Sequence, residues 1–85
     1  MEAMFCSEER YASLTVYFST IEEKQSVCDL LKKLLEGSGL EPDVTIVPVS
    51  EEKKGELVIE FHDDYDRKAQ PLVDTLASTL NFTFI

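Results

Sequence analysis

The stretch FHDDYDR, Phe61 to Arg67, gathers the groups best able to do chemistry: the single histidine, His62, followed by Asp63, Asp64, Tyr65 and Asp66. Two chemistries suit such a set. An imidazole with carboxylates can hold a divalent cation, and a histidine or aspartate with a shifted pKa can move protons. A catalytic zinc takes three protein ligands, and a hard-cation loop spaces its carboxylates regularly around a glycine. Here one histidine stands in a stretch without glycine, and no second cluster elsewhere converges with it. Proton transfer also needs a pocket that holds substrate. Neither a Gly-rich phosphate loop, a nucleophile elbow nor a Ser/His/Asp set is present. The same aspartates have a structural use. Ahead of a helix they accept hydrogen bonds from its free N–H groups and complement its positive end, each worth about 0.3–1 kcal/mol. The expectation is a helix cap and a solvated turn, with no catalytic, cofactor or metal site, in a chain that is not an enzyme.

The elements around that stretch follow from periodicity. Residues 1–10 show none, and are expected to form a mobile arm ahead of a single domain over residues 11–85. Ala12, Leu14, Val16 and Phe18 then alternate with Tyr11, Ser13, Thr15 and Tyr17, as a half-buried strand does. Ser19 or Thr20, with Glu22 or Glu23 three residues on, makes a capping box. It opens a helix whose apolar arc holds Val27, Leu31 and Leu35, with Cys28 as a small core hydrophobe, and which stops at Gly37-Ser38-Gly39.

Asp43 to Ser50 reads as a second strand, and Pro48, lacking an amide donor, sends it to a sheet edge. Leu57, Ile59 and Phe61 mark a third strand, antiparallel to the second. Ala69, Leu72, Val73, Leu76, Ala77 and Leu80 form a helical stripe, with Pro71 in its first turn and Asn81 at its end. The closing FTFI favours extended structure but is too short to establish a strand. The expected fold is α+β, βαββα: an antiparallel three-stranded sheet, the third strand between the first two, with both helices on one face.

The chain has 85 residues, with 17 Asp plus Glu against 8 Lys plus Arg, a formal net charge of −9. That balance opposes phosphate backbones, so direct nucleic-acid contact is not expected, and favours a basic protein surface or an apolar contact. A domain this small buries only roughly 60–65% of the surface its unfolded chain exposes, which makes association an effective source of stability. Cys6 and Cys28 lie in no redox or metal spacing, no apolar run is long enough for a membrane span, and no signal-peptide pattern is seen. A reducing cytoplasm is the expected compartment.

With both helices on one face, the other displays Tyr11, Tyr17, Val47, Val49, Val58, Glu60 and His62. A mixed apolar and aromatic surface of this kind suits a second copy or a paralogue. RNA-binding sheets place aromatics on their central strands, where this chain has Val58, Glu60 and His62.

LTVYF, STIEE opening a helix, GELVIEF closing a hairpin, and DRKAQPLVDTLASTL after an acidic turn together resemble the small dimerising subunit of the KEOPS complex, over residues 12 to 81. Where that family commonly has a Leu-Arg pair and an Asn-Ser pair in the second helix, this chain has Ala69-Gln70 and Asp74-Thr75, as a divergent member or paralogue would. The resemblance implies a non-catalytic accessory subunit supporting threonylcarbamoyladenosine formation on tRNA. Such a subunit forms a homodimer or heterodimer and holds the catalytic subunit through its helices. Lys32, Lys33, Gln70, Asp74 and Thr75 would then lie on or near the partner-facing helix surface. The alternative is a small acidic inhibitor or nucleic-acid mimic that occupies a basic site on another protein.

Overall fold

The computed structural model describes residues 1–64 and 66–85, so Tyr65 of the acidic stretch lies outside the described residues. In chain order the elements are β1 (Glu2–Ser7), β2 (Tyr11–Phe18), α1 (Ile21–Leu35), β3 (Asp43–Val47), β4 (Gly55–His62), α2 (Ala69–Leu80) and β5 (Thr83–Phe84). One sheet runs β3-β4-β2-β1-β5. The α+β class stands, and β4 lies between β2 and β3, antiparallel to both.

The expected three strands are thus the greater part of a larger sheet. Residues 2–7, expected to be a mobile arm, form β1, antiparallel to β2 with Ala3 opposite Val16 and Phe5 opposite Leu14. The FTFI segment supplies β5, which runs parallel to β1 and makes the sheet mixed. The physical reason is an open edge. A β2 left without a neighbour would expose a row of backbone donors and acceptors, and a chain of alternating Ala3 and Phe5 satisfies it. Ala3 is fully buried and Phe5 half-buried, while Met4 and Cys6 face solvent.

β2 and β4 alternate strictly: Ala12, Leu14, Val16 and Phe18 are buried, as are Leu57, Ile59 and Phe61. On this face α1 lays Val27 and Leu31, and α2 lays Leu72, Val73 and Leu76. The start of α1 is set by Thr20, whose hydroxyl accepts from Glu23 N at 3.1 Å while the Glu23 carboxylate accepts from the Thr20 N–H. After α1, Gly37 and Gly39 take left-handed φ of 74° and 78°, a conformation that glycine adopts without steric cost. Asn81 closes α2 in the same region, with its N–H on Ala77 O.

Gly55 opens β4 where the Phe18 ring crosses the backbone. A Cβ there would collide with Phe18 and stand 2.9 Å from Val47 O. β3 ends at Val47, one residue before Pro48, and every one of its five residues is exposed. Val44 and Ile46 alternate toward the helix side yet remain 45% and 46% exposed, because the helices cover β2 and β4 and leave this edge uncovered.

Candidate protein-binding surface

The acidic turn is a structural joint. Asp64 is buried, and its Oδ1 accepts from Ala69 N at 3.2 Å, at the start of α2. Its own N–H donates to Arg10 O at 2.8 Å. Arg67, held at a left-handed φ of 55°, donates from Nη1 to Ser7 Oγ at 2.6 Å and to the Glu8 carbonyl. The segment before α2 is thereby clamped to the turn between β1 and β2. Asp63 and Asp66 are exposed. Among the described residues no group of three or more His, Cys, Asp or Glu is arranged to hold a metal ion.

His62 ends β4 on the opposite side of the sheet from the helices. Its Nε2 stands 3.1 Å from Asp43 Oδ2 on β3, and its ring centroid 5.5 Å from that of Tyr11 on β2. The Tyr11 hydroxyl donates to Glu60 Oε2 at 2.6 Å. That bond to a carboxylate, chiefly, together with partial burial, raises the phenol pKa above its ordinary value, because ionisation would place two negative charges side by side.

Strand register lays out the rest of this open face, since directly paired residues point the same way. One row runs Asp43, Glu60, Ser13, Cys6, and the next Thr45, Val58, Thr15, Met4. A third runs Val47, Glu56, Tyr17, Glu2. Six of the expected surface residues, Tyr11, Tyr17, Val47, Val58, Glu60 and His62, therefore share one face. Val49 lies past Pro48, outside the strand and exposed. Reading residues 1–10 as an arm hid Glu2, Met4 and Cys6 from this surface. The signal pointing to them, the alternation of Ala3 and Phe5 with those three residues, is too short to declare a strand by itself.

The face is acidic as well as apolar. Glu2, Asp43, Glu56 and Glu60 cross it, against Lys54, which pairs with Glu2 at 3.4 Å, and His62. Such a surface is complementary to arginine- or lysine-bearing chemistry, through its carboxylates and the faces of Tyr11 and Tyr17.

The helix residues Lys32, Lys33, Gln70, Asp74 and Thr75 are all exposed, but they do not form a single patch. Lys32 borders an apolar groove with Cys28, Leu31, Leu35 and Val44, at the β3 edge. Gln70 and Asp74, joined by a 2.9 Å hydrogen bond, border a hollow with Phe5 and Phe84 at the β5 edge. Thr75 borders a third hollow, with Leu34 of α1 and Leu72 of α2.

Among the described residues no helix is long and apolar enough to cross a membrane. Compared with known proteins, the chain matches no family model, no curated protein and no solved structure.

Proposed function

We propose that this chain is a non-catalytic, protein-binding subunit that works by association. The particular form we favour is a dimerising accessory subunit of the KEOPS type, supporting threonylcarbamoyladenosine modification of tRNA in the cytoplasm. The observation that carries the protein-binding reading is apolar surface left uncovered among the described residues. Tyr17, Val58 and Val47 lie together on the open sheet face, and Val44, Ile46 and Val47 stand 45–46% exposed along β3. Apolar residues gathered in this way are what a protein contact covers. The KEOPS form rests on the order of elements from LTVYF to DRKAQPLVDTLASTL and on two helices left exposed on one side of the sheet.

Co-expression with the KEOPS catalytic subunit of the same organism, followed by size-exclusion chromatography, tests that form. Co-elution at a fixed ratio that withstands salt is the expected result. Separate elution removes the KEOPS assignment.

A second reading draws on a specific observation, the four carboxylates that cross the open face. On it the chain is an acidic inhibitor or nucleic-acid mimic that blocks a basic site. Its binding would be ionic and would weaken steeply as salt rises, where an apolar assembly contact would persist.

A further inference from the structure

β3 is the terminal strand of the sheet, and the row of backbone groups facing away from β4 has no sheet partner among the described residues. Terminal strands of soluble proteins are commonly guarded by lysine, by a bulge or by a covering loop, because an unpaired row of N–H and C=O groups is a template for another strand. Here Val44, Thr45, Ile46 and Val47 carry no charge, and all are exposed. Below Val44 lies the apolar groove lined by Cys28, Leu31 and Leu35 of α1, with Lys32 and Glu36 at its margin. Edge and groove are continuous through Val44. Their occupant is an extended strand: only such a backbone satisfies the row, and only its inward side chains reach the groove.

The residues of β3 themselves answer that description. We infer that β3 pairs antiparallel with β3 of a second copy, about a two-fold axis through Thr45, joining the two sheets into one. In this register Val44 faces the second copy's Ile46, and Ile46 faces its Val44. Four β-branched side chains then form one apolar row over the two grooves. On the open side Thr45 meets Thr45, and Asp43 meets Val47, so no like charges stand opposite. Asp43 is in addition held 3.1 Å from His62 of its own chain. Pro48, without an N–H, limits the ladder to the strand as observed.

Two copies stacked through their open faces would instead bring Glu2, Asp43, Glu56 and Glu60 of each together, more carboxylates than Lys54 and His62 can offset, and burying uncompensated charge is costly. A basic partner finds its complement on that open face rather than along the uncharged edge. The edge contact therefore belongs to a second copy. The inference rests on the protein-binding reading above and specifies one partner for it.

Symmetry supplies the test. A charge at position 45 would face its own copy across the axis, and because Thr45 is exposed, substitution there leaves the fold intact, as circular dichroism would verify. Wild type, Thr45→Lys and Thr45→Glu are run in reducing buffer by sedimentation equilibrium across a dilution series. The expected result is a concentration-dependent dimer in wild type and association weakened by about tenfold or more in each variant alone. An equimolar mixture of the two variants should regain it. A wild-type monomer at all concentrations overturns the inference, while co-elution with the KEOPS catalytic subunit would still uphold the broader reading. A dimer indifferent to both substitutions overturns it too, placing the self-contact elsewhere.

Discussion

Tyr11, Glu60, His62 and Asp43 form a corner of the open face where polar groups engage each other directly. The facing of His62 was readable from the alternation of Leu57, Ile59 and Phe61, because period two leaves no other side for it. Its nearness to Asp43 was not. That contact depends on the β3–β4 register, which the loop between them and the Pro48 break set together, and neither determines it from sequence alone. The Tyr11–Glu60 hydrogen bond makes a quantitative expectation at this scale. Because the phenol pKa is raised in the folded chain, chiefly by that bond, the neutral phenol is the form the fold favours. Its contribution to stability is present below the unfolded value of about 10 and is lost as pH rises through the higher folded value. A spectroscopic titration of wild type against Tyr11→Phe isolates this phenol from Tyr17 and Tyr65. It should ionise above the ordinary tyrosine range, and Glu60→Gln should bring it back down. An unshifted midpoint in wild type would mean that the hydrogen bond does not persist in solution.

At the scale of elements, local signals were reliable where one segment determined its own form. The Thr20–Glu23 box, Gly37 and Gly39 after α1, Pro71 within the first turn of α2 and Asn81 at its end all stand where their chemistry requires. What failed was the segment whose form depends on a neighbour. EAMFCS has only Ala3 and Phe5 to bury, too little to declare a strand, and becomes β1 because β2 needs a partner along that edge. The acidic stretch was half legible for the same reason. That an aspartate supports the start of α2 follows from its position, whereas the grip of Asp64 and Arg67 on the β1–β2 turn presupposes a β1. Asp64 therefore joins two elements. Asp64→Ala should cost about 1–2 kcal/mol in urea unfolding, since a buried N–H loses its acceptor, and Asp64→Asn, which keeps a carbonyl oxygen, should recover part of that. Equal stability in all three proteins would show that the turn is held by its backbone contacts alone.

The whole molecule sets two tendencies against each other. Small size and the uncovered β3 edge favour association, while a net charge of −9 on each chain opposes it at long range. Which wins depends on where the contact lies. Along β3 the paired residues are almost all uncharged, so salt screens the general repulsion between the two chains while leaving the contact itself untouched. Self-association through that edge should therefore strengthen as sodium chloride is raised from low to physiological ionic strength. It should also be nearly indifferent to Val58→Glu, which lies on the open face, one strand in from the edge and opposite Thr45 within the chain. Sheet-to-sheet stacking, the arrangement the residue types alone suggested, responds to that substitution in the opposite way, because Val58 would stand at its centre and a fifth carboxylate there would break it. Light scattering on wild type and Val58→Glu at two salt concentrations separates the two geometries. Loss of the dimer in the variant puts the contact on the open face; a dimer kept by the variant and tightened by salt puts it along the edge, and leaves the acidic face free for a basic partner.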